Sequence, residues 1–99
     1  MSTEVKMAKH AIHDKLESQI RTAEAKLETL KARAESAKAN AEIKMVAELL
    51  TKQQAIKREI TALKKSAGDE WERAKAKIEE RIAHFEESVR ELESKMKKS

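Results

Sequence analysis

Cysteine and proline are absent from this 99-residue chain, glycine occurs once, and aromatic residues make up 2% of it. Without cysteine there are no disulfides, thiolate metal sites or cysteine nucleophiles. Without proline nothing forces a helix to end. With one Trp and one Phe, a conventional globular core has almost nothing large to fill it. No stretch approaches the roughly 18 consecutive apolar residues that mark a membrane span. The opening Met1–Lys6 has no apolar run of the kind that directs secretion, so a cytoplasmic location is expected. A Gly-rich phosphate loop, a Ser/His/Asp set and an H-E-x-x-H pair are all missing. The expectation is a non-enzymatic protein with no cofactor and no small-molecule substrate.

What is present is helix-forming. Ala, Glu, Lys, Leu and Arg account for 61 of the 99 residues, and 40% of the chain is charged. With helical periodicity, that mixture marks a coiled coil or long helix. The periodicity is there: Ile12, Leu16, Ile20, Ala23, Leu27, Leu30, Ala34, Ala37, Ala41, Met45, Leu49, Gln53, Ile56, Ile60, Leu63 and Ala67 follow one another at steps of three or four. Such steps keep side chains on one helical face. Gln53 is the single polar entry, a candidate for fixing register as buried polar residues do. Between Ala37 and Gln53 every step is four, which advances the seam around the helix as stutters do. The seam is thinnest at Ala34, Ala37 and Ala41, where alanine offers little to bury and breathing is expected. Averaged to Met96 the repeat is about 3.65 residues, which predicts nearly straight helices. Glu17→Arg21, Glu48→Lys52, Glu86→Arg90, Glu91→Lys95 and Glu93→Lys97 place acid before base at i,i+4 and support helix on the wet faces. Ser2 or Thr3 can cap the first helix, with Glu4 at its positive end.

The sole glycine sits where the pattern forks. Gly68 suits the left-handed residue just past a helix end, and Asp69 with Glu72 three residues on forms a capping-box-like start for another. The seam nevertheless continues in phase through Ala67, Trp71, Ala74, Ile78, Ile82, Phe85, Val89, Leu92 and Met96. One glycine inside a helix costs only about 1 kcal/mol. The reading adopted is an all-α coiled-coil unit comprising a long helix over 3–66, a break at 67–69 and a shorter helix over 70–97. These fold as an antiparallel hairpin; the alternative is one nearly continuous helix. The interaction seam comprises Leu16, Ile20, Leu27, Leu30, Ile56, Ile60, Leu63, Trp71, Ile78, Ile82 and Phe85. Trp71 is read as a core or turn-packing residue.

Leu63-Lys64-Lys65-Ser66-Ala67-Gly68-Asp69-Glu70-Trp71-Glu72-Arg73-Ala74-Lys75 is similar to the Leu-x-x-x-Ala/Ser-Gly-Asp-x-Trp-Glu/Asp-x-x-Lys segment of a family of short bacterial coiled-coil proteins. These are catalogued as stress-response proteins after a cyanobacterial prototype. The resemblance is confined to residues 63–75. It implies a stress-associated, non-enzymatic role and transfers no catalytic residue. Members often carry Tyr or Trp in the first helix, and this chain has neither there.

Two side-chain groups bear on binding. His10, His13 and Glu17, with Asp14 beside them, share one helical face, and imidazole and carboxylate both ligate zinc. A single exposed helix offers no second wall to orient ligands, so solvated surface histidines are the default reading and no metal is assigned. His84 beside Phe85 reads as a boundary residue. Glu79-Glu80 and Glu86-Glu87 lack the enclosing pocket that paired-carboxylate chemistry needs. Lys44, Lys52, Lys57, Arg58, Lys64 and Lys65 make residues 44–65 basic. Phosphate neutralisation requires such charges, but no aromatic residue is interleaved to stack on bases. The function expected is therefore a self-associating scaffold, adaptor or protective protein. A homo-oligomer would form through the seam, with the N-terminal half left unpaired by the hairpin. The alternative is a protein that binds nucleic acid or an anionic membrane through 44–65.

Overall fold

A computed structural model describes residues 3–98, with the side chains of 8–97. Within it the chain forms three helices and no strand among the described residues: α1 (Thr3–Ser36), α2 (Asn40–Leu63) and α3 (Gly68–Lys98). The cap expected at Ser2 or Thr3 and the Glu4 side chain lie outside what is described. Each helix packs on both others, so the chain runs up, down and up within a body of 54 × 17 × 16 Å. A continuous helix of this chain would exceed 140 Å at about 1.5 Å per residue, so the all-α reading and the reversal before α3 both hold.

The first helix does not run unbroken from 3 to 66. It divides at 37–39, and the hairpin becomes a three-helix bundle. The Lys38 N–H donates to the Glu35 carbonyl (3.1 Å) and the Ala39 N–H to the Ala34 carbonyl (3.0 Å). Those are the paired bonds of a Schellman helix end, whose left-handed residue is usually glycine. Here it is Lys38, at φ 55°. Ala39 then starts α2 with no side-chain hydrogen bond to the exposed N–H groups. The seam explains why a stretch of good helix formers turns. Alanine there gains little from burial, whereas each leucine or isoleucine covered by folding back gains about 1.5–3 kcal/mol. Tertiary packing outweighs helix propensity.

The core follows the seam on both sides of this turn. Leu16, Ile20, Ala23, Leu27, Leu30 and Ala34 of α1 are buried together with Leu49, Ile56, Ile60 and Leu63 of α2. Trp71, Ile78, Ile82, Phe85, Val89 and Leu92 of α3 complete the set. Ala37, Ala41 and Ala67 are exposed, and Met45 is only partly covered. Val46, outside the seam, is buried in Met45's stead. That one-residue shift follows from restarting the helix after the turn.

The second break also differs in register. The non-helical residues are 64–67, and α3 begins at Gly68 rather than at 70. Backbone N–H groups of Lys64, Lys65 and Ser66 each donate to the carbonyl three residues back, tightening the end of α2 into a 3₁₀ turn. Gly68 is left-handed as expected, at φ 59°, but it opens α3 instead of standing just past the end of α2, whose C-cap is Lys64. Asp69 is not the cap but lies with Glu70 in the first turn of α3, where carboxylates complement the helix dipole.

Candidate functional site

The polar residue in the seam is buried beside an ion pair between α1 and α2. Gln53 is buried on α2 and is among the groups that bear on the Glu24 carboxylate of α1. Lys57 Nζ lies 2.8 Å from Glu24 Oε2. The Lys57 hydrogen bond holds Glu24 below its ordinary carboxylate range. Burial pushes the other way, while Gln53, the Lys57 charge and Arg21 add to the lowering. That charge-assisted pair ties α1 to α2.

Two further ion pairs cross between helices: Lys26 Nζ to Glu93 Oε1 at 3.0 Å, and Arg81 to Glu59. The Lys26 hydrogen bond lowers the Glu93 pKa against the effect of burial, helped by the charges of Lys26, Lys97 and Arg33. The five i,i+4 pairs expected from the sequence are not the Lys/Arg–carboxylate contacts that form. Glu93 reaches across to α1 instead of along its own helix to Lys97.

The end of the bundle beside the α2–α3 turn holds the histidines. His10 is exposed, with Nε2 3.4 Å from Asp14 Oδ2. His13, expected at the solvated surface, is 5% exposed. The second helical reversal corrects that expectation. It brings Leu63, Lys64, Ser66 and Trp71 around the face of α1 that carries Lys9, His10 and His13, supplying the wall that a lone helix lacks. Both ring nitrogens of His13 are without a hydrogen-bond partner. A buried polar group in that state costs about 1–3 kcal/mol. The nearest carboxylate is Glu17, with Oε1 3.9 Å from His13 Nε2. Ligand atoms of His13, Asp14 and Glu17 all lie within 4.8 Å of one another. Burial of a polar residue off the seam is invisible to apolar periodicity, which is why the sequence reading places His13 at the solvated surface. Trp71, 6% exposed, closes this end. Lys9 Nζ sits 5.2 Å and Lys75 Nζ 5.9 Å from its ring centroid, within cation–π range.

The basic segment is solvent-facing. Lys44, Lys52, Lys57, Arg58, Lys64 and Lys65 are exposed, and Lys57 is engaged with Glu24. At about 100° per residue, Lys44 and Arg58 lie about 40° apart on α2, with Lys52 about 80° to one side of Lys44 and Lys57 about 100° to the other side of Arg58, while Lys64 and Lys65 follow the end of the helix. Between α2 and α3 runs an open groove of about 560 Å³. Ala55, Ile56 and Phe85 supply its apolar wall, and Lys52, Lys77, Glu80, Arg81 and His84 supply polar ones. His84 is exposed there, consistent with a boundary residue. No described helix is long and apolar enough to cross a membrane. Compared with family models, curated proteins and solved structures, the chain finds no match.

Proposed function

We propose that this chain is a non-enzymatic helical interaction protein, a scaffold, adaptor or protective factor that works by associating with further copies of itself. The observation that carries the proposal is the turn at 37–39. It is built from Ala37, Lys38 and Ala39, with no glycine or proline. Lys38 is left-handed, and α2 starts without a side-chain cap. A non-glycine residue in that conformation costs about 1–2 kcal/mol, and a missing cap about 1 kcal/mol. Straightening the turn removes both costs, and the same alanine-rich residues continue the helix.

Opened in this way, α1 and α2 form one helix over 3–63. Helix α1 then leaves its own α2 and α3 and packs on those of a second copy. Every buried contact of Leu16, Ile20, Leu27 and Leu30 with the other two helices is re-formed between chains. Exchange of an identical element is a low-cost route to a dimer, and a short hinge under strain favours it. The seam thus drives association without being exposed in the closed chain. A stress-associated role rests on the resemblance of residues 63–75 alone. Nucleic-acid or membrane binding through 44–65 is the reading set aside, because Lys57 is engaged with Glu24 and no aromatic residue is interleaved among those cations.

Sedimentation of the wild-type chain over a wide concentration range, beside Lys38→Gly, tests the proposal. The wild type is expected to form a dimer as concentration rises. Lys38→Gly, which relieves the strained turn, should shift the equilibrium toward monomer by about fivefold or more. A wild type that stays monomeric at millimolar concentration, including after unfolding and refolding, overturns the proposal.

A further inference from the structure

We infer that His13, Asp14 and Glu17 form a binding site for a divalent transition-metal ion of the zinc class, with His10 beside it. These four residues stand at i, i+3, i+4 and i+7 of α1, one continuous helical stripe. The observation that points to a ligand is His13 itself. Its imidazole is 5% exposed, both nitrogens lack a partner, and Nε2 is 3.9 Å from Glu17 Oε1. Native structures rarely leave buried polar atoms unpaired, and an absent ion is one of the recognised explanations.

The geometry needs little adjustment. Ligand atoms of His13, Asp14 and Glu17 lie within 4.8 Å of one another. Around a tetrahedral zinc with bonds of about 2.0–2.2 Å, neighbouring ligand atoms are roughly 3.3–3.6 Å apart. The two carboxylates can close that gap by rotating, since the Asp14 side chain is 60% exposed and that of Glu17 39%. His10 Nε2 is already 3.4 Å from Asp14 Oδ2, within reach of the fourth position, which water otherwise fills. The mixed nitrogen and oxygen donors favour zinc-class ions over magnesium, which takes oxygen ligands and keeps its waters. Lys9 and Lys64 border the hollow that His10 and His13 line, and Arg21 lines the neighbouring one with Asp14 and Glu17. Their charges oppose a cation, while the two carboxylates offset them; Lys9 is drawn toward the Trp71 ring. Packing of the α2–α3 turn against His13 holds the imidazole in place, as a metal site requires.

The test is titration of the full-length, tag-free chain with Zn²⁺, followed by calorimetry and by NMR of the histidine ring signals. One ion per chain is expected, with the His13 signals moving on binding and Mg²⁺ leaving them in place. Glu17→Gln, a half-exposed change that leaves the core intact, should weaken binding at least tenfold, and so should Asp14→Asn. Thermal stability of the wild type should rise with Zn²⁺, and that rise should vanish in Glu17→Gln. Unmoved His13 signals at millimolar Zn²⁺ overturn the inference. So does unchanged affinity in both carboxylate variants, because the ion is then held elsewhere.

Discussion

Two residues in the same left-handed region make opposite forecasts. Lys38 at φ 55° closes the first turn at a steric cost that glycine escapes. Lys38→Gly is therefore expected to stabilise the closed chain by about 1 kcal/mol, measured as a higher midpoint in urea unfolding of dilute protein. Gly68 at φ 59° has no heavy atom within 4 Å of where a Cβ would stand. Gly68→Ala then meets no clash, only the backbone penalty, and should destabilise by about 1 kcal/mol in the same assay. Had the helix run through residue 68, the alanine would have stabilised it. At Glu24 the forecast concerns pH. Its carboxyl is held below the ordinary value of 4.5, chiefly by the Lys57 hydrogen bond. The folded state therefore binds that proton less readily than the unfolded chain. The resulting stabilisation is fully present above about pH 4.5 and lost as pH falls through the lowered value. Glu93, lowered by Lys26, acts in the same direction. Urea midpoints measured from pH 7 to 3 should fall across that acid range, and Glu24→Gln should fall less steeply.

Among the elements, α3 and the apolar faces of α1 and α2 were legible in the sequence, and the first turn was not. Leu16 to Leu30, Ile56 to Leu63 and Ile78 to Phe85 announce themselves by steps of three and four, and Gly68 by its rarity. Ala37-Lys38-Ala39 carries neither signal. All three residues are good helix formers, and a Schellman end with lysine in the glycine place has no local signature. The thin alanine stretch marked the weak point of the seam, but weakness alone does not distinguish a breathing helix from a reversal. The burial of His13 is not legible for a related reason. The wall that buries it comes from the turn between α2 and α3, which a single-helix reading of residues 10–17 cannot contain. The apolar faces themselves are expected to be costly to disturb. Leu27 is 0% exposed, so Leu27→Ala should cost about 2–5 kcal/mol, read by thermal or urea unfolding.

For the whole molecule, the three helices satisfy the seam within one chain, while the sequence between α1 and α2 remains a competent helix. Local preference and global packing disagree at that one place. Such disagreement leaves an alternative arrangement near in energy. The proposed exchanged dimer would resolve it by letting residues 37–39 be helical and the seam stay covered. Its long helix, residues 3–63, would reach about 90 Å at 1.5 Å per residue, against a closed body 54 Å long. The ion pairs Lys57–Glu24 and Lys26–Glu93 join α1 to the other two helices. In the dimer they would run between chains and help set which faces meet.

The most direct measurement is a distance across the first turn within one chain. Because the chain has no cysteine, spin labels can be placed at Thr22→Cys and Thr61→Cys, both exposed positions. Diluting the labelled chain with unlabelled protein leaves only the intrachain distance visible. In the closed bundle α1 and α2 lie side by side, so the labels should be within about 20 Å. In the opened chain they are separated by a continuous helix, about 58 Å. The account expects the short distance in dilute solution and a second population near 58 Å that grows with total concentration and shrinks with Lys38→Gly. A short distance alone at every concentration, and after refolding, would contradict it.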